Sequence, residues 1–450
     1  MTKVIDLYEV SPVDHNFSRS TLLLLQKDAM ISDRFQQCKR WALLSLLNFV
    51  LVSLAGTLLR YKISFSLPLL NYRYLLNAHS HFAFAGWVSM AIFTAFVFIL
   101  SEEHGVIGNT YRHQFNLGQI ANFGMLISFI FQGYAAISIS FSVLSIIFSY
   151  WFAWRFSRDL KRSHLSLPVK YFASAALFFY VLSSIGPFLL GYILSHRIFD
   201  NNLYHNAIYL FLHFQYNGWF SFGVLAIFFH TLHTRKIPFD EKKGILIFKV
   251  LFTACIPAYC LSLLWTSPPV WVFLLGALAG LAQWIGAAML LQLIMHIRKD
   301  LLAALPRYTS ACWMLSLFAF SVKILLQGLS VVPALGRFAF GIRPVIIGYL
   351  HLVFLGFVSF FLIGFFLSEK LYAFGRTALF LFIAGVLANE VFLLLQGLFA
   401  LSGHGWGNAG IYLLAASGMM FAGLLLFLIR QFRYGNLAGP GFPAGAAVKS

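Results

Sequence analysis

The stretch NAHSHFAFAGW, residues 77–87, places two histidines inside an apolar segment long enough to cross a membrane. Two more apolar segments each contain one histidine, His213 in LFLHFQYNGWF and His351 in GYLHLVFLGF. An ionisable side chain in hydrocarbon is costly unless it has a partner, so such residues indicate function. Imidazole is a common axial ligand of haem iron. The histidines are therefore candidate cofactor ligands.

The composition predicts an all-α integral membrane protein. Of 450 residues, 60% are hydrophobic and only 10% are charged. Apolar stretches recur that can each cross a hydrocarbon layer about 30 Å thick. They predict twelve transmembrane helices, at approximately 41–59, 76–100, 115–137, 138–154, 171–194, 203–230, 245–265, 268–296, 308–333, 344–368, 377–401 and 409–429. The predicted organisation is a cytoplasmic N-terminal segment over 1–40, a membrane domain over 41–430 and a disordered cytoplasmic tail over 431–450.

The distribution of positive charge predicts the orientation. With the N-terminus inside, the cytoplasmic segments hold 25 of the 32 lysines and arginines. Cytoplasmic loops of membrane proteins carry such an excess, so both termini are predicted to be cytoplasmic. The net charge of +18 then indicates contact with the lipid bilayer, and no nucleic-acid partner is expected.

This topology places the histidines in the outer half of the membrane, in the second, sixth and tenth helices. His81 and His351 each follow a border arginine, Arg73 or Arg343, by eight residues. Both therefore lie about 12 Å into their helices, where two imidazoles could bind one haem iron from opposite sides. His79 points about 200° away from His81, so only one of the two can face that iron.

The same segments resemble the large subunits of haem–copper oxidases and nitric oxide reductases. NAHSHFAFAGW is similar to their second helix, and on that match His79 is the low-spin haem ligand. HFQYNGW is similar to the sixth helix of nitric oxide reductases, where the position of His213 binds the second metal and an acid stands in place of Asn217. YLHLVFLG is similar to the tenth-helix pattern H-x-H-L-x-x-x-G. There His351 matches the low-spin ligand and Tyr349 replaces the high-spin one.

The chain departs from these families in its predicted seventh helix. Residues 245–265 contain no histidine, whereas the families carry two adjacent metal ligands there. Bound copper or non-haem iron is therefore not expected, and His213, Asn217 and Tyr349 would form a degenerate second site. The resemblance implies at least one haem b and a role with electrons, nitric oxide or dioxygen in a bacterial inner membrane. It leaves open whether the protein is an oxidoreductase with turnover. Quinol, a periplasmic cytochrome or a cupredoxin would donate the electrons.

Two alternatives remain at this point. The NnrS family of haem proteins, linked to nitric oxide tolerance, has a similar H-x-H segment in its second helix. A haem-free, ion-coupled transporter is the other, because Lys323 and Glu390 lie inside apolar helices. Their matched depth predicts an ion pair, and the resemblance also suggests a proton pathway through them.

Overall fold

The computed structural model describes residues 19–104 and 109–434. Over these residues the regular structure is helical throughout, as the composition predicts. The predicted N-terminal segment 1–40 is described only from residue 19, and the predicted tail 431–450 only as far as residue 434. The first helix already begins at Arg19, well before the predicted start of the membrane domain at residue 41.

Long helices follow one another along the described residues and are joined by short turns. They are α1 (Arg19–Ser64), α2 (72–104), α3 (Asn109–Gln132), α4 (Ala136–Arg162), α5 (Leu167–Ser195), α6 (201–234), α7 (Glu241–Thr266), α8 (Val270–Ala304), α9 (Arg307–Leu329), α10 (Arg343–Ser368), α11 (Arg376–Leu401) and α12 (Ala409–Tyr434). A short helix, Pro333–Gly341, precedes α10.

Within the described part of the chain, ten of these helices are long and apolar enough to cross a membrane. The other two, α3 and α6, are helical but do not meet that measure of length and hydropathy. Helix α3 contains several polar residues, including three buried amides, Gln114, Gln119 and Asn122. The protein is therefore a helical, multi-pass membrane protein.

The helices α2, α6 and α10 form the centre of the bundle. In α10 every residue of Phe360–Ser368 is buried, whereas none of Arg343–His351 is fully buried. Helix α6 shows a similar change, since Ser221–Thr234 is almost entirely buried and Asn201–His213 contains two buried residues. In α2, three residues of Tyr72–Phe82 are buried, whereas residues 86–101 are buried throughout. The first halves of these central helices thus border space that reaches the surface. The end of the bundle where they begin is called the histidine end below.

A break in α7 influences the same region. The α-helical part ends at Cys255, and a 3-10 helix runs from Pro257 to Thr266. Proline has no N–H to donate, and the N–H of Tyr259 bonds to Ile256 O instead of to Cys255 O. The carbonyl oxygen of Cys255 therefore lacks its usual helical donor and can accept a hydrogen bond from a side chain.

Candidate functional site

Each central helix carries the same nine-residue motif, H-x4-G-[WF]-x-S. The copies are HFAFAGWVS at 81–89, HFQYNGWFS at 213–221 and HLVFLGFVS at 351–359. The helix widens into a π-helix within every copy, over Ala83–Ser89, Phe214–Phe220 and Leu352–Ser359. Such turns are rare and often mark functional sites. The motif is legible in the sequence, and it makes His81, His213 and His351 equivalent positions of an internal repeat.

The serine that ends the motif satisfies a backbone carbonyl. Ser221 Oγ donates to Tyr216 O at 2.6 Å, and Ser359 Oγ donates to Phe354 O at 2.7 Å. Both carbonyls lie five residues earlier, where the widened turn disturbs the regular ladder of hydrogen bonds. The serine hydroxyl thus supplies a hydrogen-bond donor to a carbonyl inside the π-helix of its own motif.

The tryptophans of the motif tie the central helices together. Trp87 Nε1 donates to Ser359 Oγ at 2.8 Å, and Trp219 Nε1 donates to Ser89 Oγ at 3.1 Å. Both bonds are buried, and each joins the tryptophan of one copy of the motif to the final serine of another. They hold α2 in register with α10 and with α6, so the three histidine-bearing segments lie at similar depth. The third copy has Phe357, which has no N–H to donate.

His79 has the surroundings of a metal ligand. Its Nδ1 lies 2.9 Å from Val52 O on α1, and the ring packs so closely on Gly56 that a Cβ there would be 3.0 Å from Cε1. A ring that donates from Nδ1 to a carbonyl keeps the Nε2 lone pair for a metal, which is the usual arrangement of histidine ligands. Nε2 forms no hydrogen bond with the described residues.

His81 faces a different neighbour. Its Nε2 lies 2.6 Å from the hydroxyl of Tyr134, and its ring stacks on Phe129 of α3 with centroids 4.6 Å apart. The two histidines therefore point in different directions, as the helical geometry predicts. The nitrogen that would bind iron is occupied in His81 and free in His79.

His351 shares the surroundings of His79. It interacts electrostatically with His79 and with Arg60 of α1. Its Nδ1 lies 3.3 Å from Nδ2 of Asn389 on α11, and the same Nδ2 donates to Glu390 Oε1 at 3.1 Å. The structure thus brings together two of the predicted haem ligands and adds Asn389, which sequence reasoning did not identify.

A cluster of cations borders these histidines. Arg60 interacts electrostatically with Arg343, Tyr72 and Glu390. Arg343 donates to the Tyr72 hydroxyl at 3.2 Å. The histidine end of the bundle is therefore positively charged next to His79 and His351, and this favours anionic groups of a ligand.

His213 is held by protein atoms at both ring nitrogens. Its Nε2 donates to Cys255 O at 2.8 Å, and its Nδ1 accepts from Asn217 Nδ2 at 3.0 Å. The first bond satisfies the carbonyl that the break at Pro257 leaves free. Binding a metal at His213 would require one of these bonds to break, so its geometry has a structural explanation. Asn217 Oδ1 is buried and has no hydrogen-bond partner among the described residues.

Tyr349 and Lys323 lie on the same side of the centre as His213. The ring of Tyr349 meets Tyr216 edge to face at 5.8 Å, and its hydroxyl lies 3.5 Å from Gln327 Oε1. Lys323 is 1% exposed, and its Nζ lies 6.0 Å from the Tyr216 ring. It also interacts electrostatically with His213. The residues predicted for the second site are therefore neighbours.

The predicted ion pair between Lys323 and Glu390 is wrong. Four ion pairs occur among the described residues, and neither of these two side chains takes part. Their helices pack on different halves of α10, α9 on the second half and α11 on the first. Lys323 faces α6 and α7, whereas Glu390 faces Arg60 of α1. Equal depth in a bundle does not place two residues on facing sides.

Among the described residues, no group of three or more histidine, cysteine, aspartate or glutamate side chains is placed to hold a metal ion. A haem iron makes a smaller demand, because its porphyrin supplies four ligands and the protein only one or two. Comparison with known proteins adds no constraint: no family model matches the chain, and no curated protein sequence matches it.

Proposed function

We propose that this chain is a membrane haem protein of the cytochrome oxidase subunit I-like type. At least one haem b would be held between His79 and His351, and it would handle electrons, nitric oxide or dioxygen. The observation that carries the proposal is the pairing of these two histidines at the histidine end. They interact electrostatically, and neither Nε2 bonds to another described residue.

The surroundings suit a haem without covalent attachment. The sequence contains no C-x-x-C-H segment, so covalent attachment of the c type is not expected. Haem carries two propionate carboxylates, and Arg60 and Arg343 supply cations beside the two histidines. No residue in the first half of α10, Arg343–His351, is fully buried. Bound there, the haem would supply a reversible one-electron couple and an iron that binds diatomic gases.

The proposed topology follows from charge. We infer twelve membrane crossings, which add α3 and α6 to the ten apolar helices, with both termini in the cytoplasm of a bacterium. The amides Gln114, Gln119 and Asn122 of α3 are tolerated in a membrane crossing because they are buried against other helices and do not face lipid. The histidine end would then face outward from the inner membrane. Quinol or a periplasmic cytochrome or cupredoxin would reach it there.

The second site supports a limited chemistry. Its one histidine is occupied by Cys255 O and Asn217, and the buried amine of Lys323 lies nearby. A haem protein that carries electrons or binds nitric oxide, as in NnrS-like proteins, fits this better than an oxygen-reducing enzyme with a copper centre. Lys323 and Glu390 would each take part in proton transfer separately, Lys323 near His213 and Glu390 near His351.

The test is spectroscopy of protein purified from haem-replete cells. The proposal expects a Soret band and sharp α and β bands on reduction, with at least one haem per chain. In His351→Ala the low-spin bands should disappear, whereas His404→Ala, an exposed histidine, should leave them unchanged. A colourless wild-type preparation would overturn the proposal and favour the haem-free, ion-coupled transporter.

A further inference from the structure

Asn389 lies between two groups that can gain or lose a proton. It is 1% exposed, and its Nδ2 is 3.1 Å from Glu390 Oε1 and 3.3 Å from His351 Nδ1. A side-chain amide donates from its nitrogen and accepts at its oxygen. The side that Asn389 turns to the ring therefore decides whether Nδ1 of His351 accepts or donates a hydrogen bond.

Ligation of iron demands one of these two arrangements. A neutral imidazole that binds iron through Nε2 carries its hydrogen on Nδ1 and must donate it. With Nδ2 of Asn389 facing the ring, Nδ1 accepts, and the hydrogen lies on Nε2, where it blocks ligation. A rotation of the amide by 180° turns Oδ1 toward the ring and frees Nε2 for the metal.

The state of Glu390 determines which arrangement is stable. An ionised carboxylate accepts the hydrogen bond from Nδ2, as observed at 3.1 Å, and it would repel the amide oxygen after rotation. A protonated carboxyl can instead donate to Oδ1. Protonation of Glu390 therefore favours the amide orientation that His351 needs as an iron ligand.

The ionisable groups near Glu390 do not alter the effect of its protonation on the orientation of the Asn389 amide. Arg60 of α1 interacts with it electrostatically and favours its ionised form. On α10 Gly348 lies close to it, since a Cβ there would be 3.9 Å from Glu390 Oε2. The facing part of α12, residues 409–429, has Tyr412 as its one ionisable residue, and that ring packs on Phe392.

We propose that Asn389 and Glu390 are positioning residues for His351, with the proton on Glu390 controlling through Asn389 whether His351 binds the iron. This inference rests on the proposed haem function. The iron would be six-coordinate and low-spin when Glu390 is protonated, and it would lose His351 when Glu390 ionises. The relation makes ligand binding at the open iron position dependent on pH.

The experiment follows the spin state of the purified haem protein from about pH 4, near the ordinary pKa of a glutamate, to about pH 10. The wild type should lose most of its low-spin absorbance reversibly as the pH rises. Glu390→Gln should keep the low-spin bands throughout, because a glutamine amide donates to Asn389 Oδ1 as a protonated carboxyl does. Asn389→Leu should also remove the pH dependence, since the link is cut.

Gln396→Leu is the matched control, because it removes another amide of α11 and should keep the wild-type transition. A wild-type spin state that does not change with pH would overturn the inference while leaving the haem assignment in place. A wild-type transition retained in Glu390→Gln would do the same. Protein without haem in every variant would overturn the proposed function, and this inference with it.

Discussion

Replacing His79 and His81 separately by alanine should affect two different measurements. His79→Ala removes the proposed iron ligand together with its bond to Val52 O, a neutral hydrogen bond worth about 1 kcal/mol. His81→Ala removes the bond to the Tyr134 hydroxyl, also about 1 kcal/mol, and the stacking on Phe129, about 0.5–1.5 kcal/mol. His81→Ala should therefore cost about 1.5–2.5 kcal/mol in stability and spare the haem spectrum.

The assay combines reduced-minus-oxidised spectra with thermal unfolding in detergent. His79→Ala should lose the low-spin bands, and His81→Ala should keep them while melting at a lower temperature. The opposite result, with low-spin haem retained in His79→Ala and lost in His81→Ala, would refute the orientation argument. Partial loss of equal size in both variants would show that neither ring binds the iron alone.

Three further outcomes are expected. Purified protein should carry little copper by metal analysis, since His213 is held at both nitrogens; one copper per chain after chelator treatment would contradict this. Trp87→Phe should lower the free energy of unfolding by about 1 kcal/mol, since the bond to Ser359 is lost; denaturation in detergent measures it. Tyr372→Phe should cost a similar amount, at neutral pH and at about pH 10.5 alike, because burial raises the pKa of Tyr372 well above its ordinary value and its bond to Ala42 O persists. A cost that disappears at the higher pH would contradict that reasoning.

The helical segments were predictable because hydrophobic length is a local property of the chain. Helices lie where the apolar stretches occur, and α1 merely extends further toward the N-terminus, from Arg19. The polar character of α3 was also visible in its amides. The break in α7 follows from Pro257, but its consequence for His213 depends on how α6 and α7 pack. Sequence spacing contains no such information.

Depth was easier to predict than direction. Counting residues from Arg73 and Arg343 gives the depth of a residue in the bundle. This count predicted that His351 lies at the same depth as the histidine pair of the second helix. It also selected His81, whose ring turns to α3, and it paired Lys323 with Glu390, which face different helices. Rotation about the helix axis depends on packing partners, and one sequence does not reveal them.

The two tryptophan bonds between the central helices also determine where the bundle can open. Sliding or splaying α2 against its neighbours would break Trp87–Ser359 or Trp219–Ser89. The boundary between α6 and α10 has Phe357 in the corresponding position, and it is tied instead at the far end, where Arg235 pairs with Glu369 at 2.8 Å. A hinge there would let the two helices part at the histidine end. In the structure, ring contacts such as that of Tyr216 with Tyr349 close this part of the boundary.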